Sequence, residues 1–131
     1  MDRISGRMKD INMKLTLLRD LDEQEREKVR RMIRRAQRKF MRANRLIDFG
    51  RVPPRVRVEL SVLISDFAVV VKSFSFDDFK AYGDWKADFD CATMNIMAFL
   101  GMLLRDYGVV KIQHLIKPAE MRERKGGDII E

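Results

Sequence analysis

The residue types that could do chemistry in this chain are concentrated in one stretch. Between Arg26 and Arg45 stand ten basic residues, namely Arg26, Lys28, Arg30, Arg31, Arg34, Arg35, Arg38, Lys39, Arg42 and Arg45, against one acid, Glu27. That segment carries +9 while the whole chain carries +7, so everything outside it sums to −2. Basicity is therefore a property of one segment and not of the surface at large. Eight of the ten are arginine, whose planar fork matches phosphate oxygens better than the point charge of lysine.

Concentrating like charge in this way opposes folding. Arg26/Arg30, Arg30/Arg34, Arg31/Arg35, Arg34/Arg38, Arg35/Lys39 and Arg38/Arg42 stand four apart, and each such pair destabilises a helix by roughly 0.2–0.5 kcal/mol. A helix built for solubility alone interleaves glutamates, as the rest of the chain does. An anionic partner would remove the repulsion. Twenty helical residues run about 30 Å, a length over which duplex DNA presents on the order of 18 phosphates. The ten basic residues are thus the expected nucleic-acid-binding set, with duplex DNA favoured and RNA possible. Backbone binding is expected in place of sequence readout, because no Gly-containing tight turn makes a helix-turn-helix. Aromatic residues for base stacking are missing from the basic face.

Other chemistries find little material. His114 is the one histidine and Cys91 the one cysteine, so a zinc site with two or more such ligands is excluded. Cys91 falls in an apolar helical pattern and is expected to be an inert core thiol. His114 is expected at the surface of a last helix. Asp77, Asp78, Asp84, Asp88 and Asp90 lack the spacing and central glycine of a calcium loop. They read as caps and surface charge, or as an acidic patch toward which the basic face could turn. No Walker loop, GxGxxG or GxSxG is present. No catalytic residue, metal or cofactor is expected, and the chain reads as a non-enzyme.

The elements that must position the basic residues follow from apolar spacing. Val29, Met32, Ile33, Ala36, Phe40, Ala43 and Ile47 fall within an arc of about 100° on a helical wheel. This predicts a helix from a cap at Asp20 or Asp22 to about Asp48, with Gly50 as its stop. Before it, Ile4, Met8, Ile11, Leu15 and Leu18 draw a stripe that predicts a helix from Arg3 to Leu21. Pro53-Pro54 is the strongest break. Beyond it, Arg55–Phe74 suits a helix through Val56, Leu60, Leu63, Phe67 and Val71. Its opening RVRVELSV alternates like a strand, but about 20 uninterrupted positions exceed ordinary strand length.

Ser75–Tyr82 predicts a short helical turn stopped by Gly83. Asp84 then opens the most apolar helix, striped by Trp85, Phe89, Ala92, Ile96, Phe99, Leu100, Leu103 and Tyr107 and widened by Met94, Met97 and Met102 into a mostly buried rod. A last helix runs from Val109 to about Lys117, ended by Pro118. The fold class is all-α with about five helices: a basic N-terminal helical hairpin over 1–50, an apolar bundle over 51–125 packed with it as one domain, and a flexible tail over 126–131.

Composition is consistent with this. With 46% hydrophobic and 36% charged residues the chain reads as folded. One cysteine forms no internal disulfide, and with charges throughout the opening MDRISGRMKDINMKL no signal peptide is expected. The longest apolar run, Met94–Leu104, falls short of the ~20 residues of a membrane span. The expected location is the cytoplasm or a nucleoprotein particle, not the exterior.

No motif identifies a family. In layout the chain resembles the helical coat proteins of archaeal filamentous viruses, through the basic helix Arg26–Arg45, the Pro53-Pro54 break and the bundle Arg55–Lys117. That resemblance implies DNA packaging. A second likeness, to the small helical subunits of RNA-guided complexes, implies RNA. The expected function is sequence-independent coating or packaging of nucleic acid with self-association, helped by the apolar width that Met13 and Leu17 add to the first helix. The alternative is an adaptor or assembly subunit whose basic helix meets an acidic protein surface.

Overall fold

The structure, a computed structural model, describes residues 13–108 and is predominantly helical, with no strand among them. Three long helices carry it: α1 (Glu23–Asn44), α2 (Pro54–Phe76) and α3 (Tyr82–Tyr107). Single-turn 3-10 helices at Leu18–Asp20 and Phe49–Arg51 lead into α1 and α2. The expected last helix, His114 and the 126–131 tail lie outside the described residues.

α1 starts where Asp22 accepts from the Glu25 amide at 2.8 Å while the Glu25 carboxylate accepts from the Asp22 amide at 2.9 Å. This reciprocal box satisfies two of the donors that every helix start leaves bare. α1 ends at Asn44, earlier than its apolar stripe suggests. Ile47 is buried nonetheless, because the turn after Asn44 carries it inward through bonds from Leu46 N to Ala43 O and from Ile47 N to Asn44 O. Gly50 is therefore not the helix stop but part of the next 3-10 turn. Pro54 opens α2, where its fixed φ and missing N–H cost nothing. The strand-like alternation at its start is overridden, and the whole of Pro54–Phe76 is helical.

Two expectations fail in this region for the same reason. Residues 13–15 are helical, but the chain leaves the helix at Thr16 and runs extended beside the start of α3. Leu17 bridges Ala81, Leu18 N donates to Lys80 O at 2.8 Å, and Tyr82 N donates to Thr16 O at 2.8 Å. The predicted helix to Leu21 thus ends at Leu15, which is 74% exposed instead of striped into the core. Gly83 stops nothing, since it lies in the first turn of α3. A Cβ there would meet the Lys14 carbonyl oxygen at 3.0 Å, so glycine permits the crossing. Ser75 lies inside α2, and residues 77–80 form a turn instead of the expected short helix.

Direction follows from the contacts at each end. Asp48 N donates to Tyr107 O, joining the C-terminal ends of α1 and α3. At the other end Arg19 N donates to Asp78 O, and the Arg26 guanidinium lies 5.7 Å from the Phe74 ring centroid. α1 and α3 therefore run parallel, with α2 antiparallel to both. α3 is the hub, packing extensively on α2 and also on α1. Its buried stripe is Trp85, Phe89, Ala92, Ile96, Leu100 and Leu103. Trp85 Nε1 donates to Val70 O at 2.8 Å, and rings of Phe74, Tyr82 and Phe89 surround the indole.

The rest of α3 is less buried than its composition suggests. Met94 is 69% exposed, Met97 and Met102 are half-buried, and Cys91 is exposed on the outer face beside Asn95. Cys91 is one residue off the buried stripe, a 100° turn that takes it out of the core. By length and composition α3 is apolar enough to cross a membrane, which the run Met94–Leu104, with Asn95 inside it, does not reveal.

Candidate functional site

α1 divides its circumference into three. Val29, Ile33 and Ala36 are buried against the core, and Met32, Phe40 and Ala43 are half-buried beside them. The ten basic residues are distributed unevenly over the remainder. Lys28, Arg31, Arg34, Arg35, Arg38, Lys39, Arg42 and Arg45 are exposed, while Arg26 and Arg30 are half-buried.

Arg26 and Arg30 are committed within the chain. Arg26 donates from Nε to Leu21 O at 3.2 Å and from a terminal nitrogen to Leu18 O at 2.8 Å. It holds the 3-10 turn onto the start of α1 and lies over Phe74. Arg30 reaches Glu23 at 2.8 Å and Glu27 at 3.2 Å. Arg34 reaches Glu27 at 3.0 Å. The hydrogen bond from Arg34, then that from Arg30, holds the Glu27 carboxyl below the ordinary range, and the bond to Glu23 raises the Arg30 guanidinium further. The lone acid of the basic stretch thus serves Arg30 and Arg34 closely and Arg31 at 4.0 Å.

Beyond these N-terminal turns the basic face has no such relief. Lys28, Arg31, Arg35, Arg38, Arg42 and Arg45 follow one another in steps of three and four, so they form a straight ridge within an arc of about 100° opposite the core. Between its ends the ridge covers about 25 Å of axis. Only Arg31 approaches an acid, Glu27 at 4.0 Å. The side chains of Lys28, Arg35, Arg38, Arg42 and Arg45, with Lys39 beside them, have no hydrogen-bond or ion-pair partner among the described residues.

The acidic residues after Phe76 do not neutralise this ridge. Asp88 takes Lys80 at 2.6 Å and Asp90 takes Lys86 at 2.8 Å, on α3 and the turn before it. Among the described residues no group of acids, cysteine or histidine is placed to hold a metal.

The site also holds what sequence spacing did not disclose. α1 and α2 each pack on α3 but barely on each other. Phe40 meets Phe67 edge-on at 5.0 Å, and beyond that contact the two helices splay into a groove of about 470 Å³. Gln37, Met41 and Asn44 form its α1 wall, Leu60, Ile64, Ala68 and Lys72 its α2 wall, and Ile96 and Leu100 its floor. The Asn44 Oδ1 is buried without a hydrogen-bond partner. The exposed Met41 and Ile64 were the available signals, each apolar at a position beside its helix's core stripe. No family model, curated protein or solved structure matches this chain.

Proposed function

We propose that this protein binds nucleic acid through the phosphate backbone, without sequence readout and without catalysis, and that it coats or packages the strand. The observation that supports this reading is the ridge Lys28, Arg31, Arg35, Arg38, Arg42 and Arg45, straight, exposed and almost unpaired. A row of cations held on a rigid helix presents charge at a fixed repeat of about 5 Å, which suits a polyanion more than a single acidic side chain. Of the ten basic residues, the reading assigns Arg26 and Arg30 to holding α1 in place, and the ridge with Arg34 and Lys39 to phosphate. Duplex DNA is the favoured ligand. Packaging implies that copies associate along the strand, within the cytoplasm or a nucleoprotein particle.

The test is anisotropy of labelled duplex DNA, duplex RNA and single strands across a salt series. With all six ridge cations on phosphate, log K should fall against log salt with a slope of roughly −5.4 on duplex DNA. Saturation at a fixed number of base pairs per protomer supports a coat. Weak binding with no site size supports the adaptor reading, in which an acidic protein surface meets the ridge. No binding at low salt overturns the proposal.

A further inference from the structure

The groove between α1 and α2 calls for an occupant on two grounds. The first is shape. Three helices run up, down and up, with the two sequential neighbours held apart over the third. This is the geometry of a four-helix bundle with one position open. The groove extends along α2 from Leu60 to Lys72, about 18 Å of axis, or some three turns of an added helix. Its walls are aliphatic and aromatic apart from Gln37, Asn44 and Lys72, and the Asn44 amide oxygen lacks a donor.

The second ground is charge. Arg34 stands one turn from Gln37, and Arg38 and Arg45 stand one turn on either side of Met41, so cations border the α1 wall. On α2, Lys72 lines the groove and Arg57 lies one turn before Leu60 and Ser61. The acids of α2, Glu59 and Asp66, fall on its far side by helical projection. The groove is therefore apolar within and cationic at both edges. The segment that follows α3 in the sequence lacks the complementary charge. Between Val109 and Lys117 the charged residues are Lys111 and Lys117, with no acid.

We infer that this groove seats an amphipathic helix of a partner protein, with aliphatic anchors spaced three and four apart and acidic residues along its flanks. Such a helix would bury the exposed Met41 and Ile64 and set its carboxylates against Arg38, Arg45 and Lys72. This is helix-in-groove recognition. The groove shares Arg38 and Arg45 with the edge of the phosphate ridge, whose centre is turned roughly 90° or more around α1 from Gln37, Met41 and Asn44.

The test uses the full chain and three labelled peptides of about 18 residues each, ~27 Å as helices. One has leucine anchors at three-four spacing with glutamate flanks, one replaces the glutamates with lysine, and one replaces the leucines with serine. The first should bind at least about tenfold tighter than either control, a difference of roughly 1.4 kcal/mol. Ala68→Glu, a change at an exposed groove wall, should abolish that preference while leaving thermal unfolding unchanged. Lys28→Gln with Arg35→Gln should weaken nucleic-acid binding and leave peptide binding intact. Equal binding of the glutamate and lysine peptides, or of the serine peptide, overturns the inference. So does a dimer of the free chain that Ala68→Glu converts to monomer, which would make a second copy the occupant.

Discussion

Replacing Arg35 and Arg38 together with glutamine should make the free protein more stable, and this is the sharpest consequence of the ridge. Both are mid-helix, exposed and without a partner among the described residues. Removing them eliminates five like-charge pairs at helical neighbour positions: Arg31/Arg35, Arg35/Arg38, Arg35/Lys39, Arg34/Arg38 and Arg38/Arg42. At roughly 0.2–0.5 kcal/mol each, relief is about 1–2.5 kcal/mol at low ionic strength. Glutamine and arginine have similar helix propensity, so little is lost in exchange. The gain should appear in urea unfolding as a higher midpoint at constant slope, and in Tm as a rise of very roughly 4–10 °C. It should fade near 1 M salt, where the screening length is about 3 Å. The same variant should bind duplex DNA with a salt slope shallower by about 1.8. A variant of equal or lower stability at low salt would refute the reasoning, because the ridge charges would then be neutralised within the protein and leave no repulsion for a polyanion to relieve.

Three further outcomes follow from the contacts that hold the scaffold. Arg26→Met should lower stability by about 1.5–3 kcal/mol through loss of its charged bonds to Leu18 O and Leu21 O; denaturant unfolding measures this, and the salt slope on DNA should not move. Gly108→Ala should destabilise by about 1–3 kcal/mol, since a Cβ there would lie 2.7 Å from Leu104 O and 3.1 Å from Leu46 O at the junction of α1 and α3. Burial, aided by Asp90, raises the Tyr82 phenol above its usual value, so its contribution to stability is complete below about pH 10 and is lost as pH rises through the folded value. In a Tyr107→Phe background the tyrosinate absorbance should titrate above that pH, and Tyr82→Phe should flatten the alkaline decline in stability.

The sequence discloses most of what is periodic and little of what depends on chain crossings. The buried faces of α1 and α3 were legible because Val29, Ile33 and Ala36 recur at helical spacing over about two turns, and Trp85 through Leu103 over about five. The helical character of α2 was legible through its length and Pro54, despite alternation at its start. The end of the N-terminal helix was not, because pairing of Thr16–Leu18 with Lys80–Tyr82 is a contact between residues about 65 positions apart, which no local pattern carries. The same crossing explains why Gly83 read as a stop. Cys91 was misplaced because its apolar neighbours suggested burial, whereas a helix buries a stripe and not a run.

Charge was legible in amount but not in division. Counting shows ten basic residues and one acid between Arg26 and Arg45, and all ten look alike on a wheel that lacks neighbours. Only the packing separates Arg26, turned onto carbonyl oxygens at the start of α1, from Arg35 and Arg38, whose side chains have no partner among the described residues. Glu27 then sharpens the distinction, because it and Glu23 relieve Arg30, Arg31 and Arg34 in the N-terminal turns and leave Arg35 to Arg45 uncompensated among the described residues. A helix built only to be solvated would spread its acids along its length. Two binding demands on one helix would produce that asymmetry. A polyanion needs an unpaired ridge, and an apolar groove edged by Arg38 and Arg45 needs cations that remain free to meet acidic residues. Both demands fall on residues that contribute nothing to the core, so function here would be carried at the expense of stability, in the region where glutamine substitution is expected to restore it.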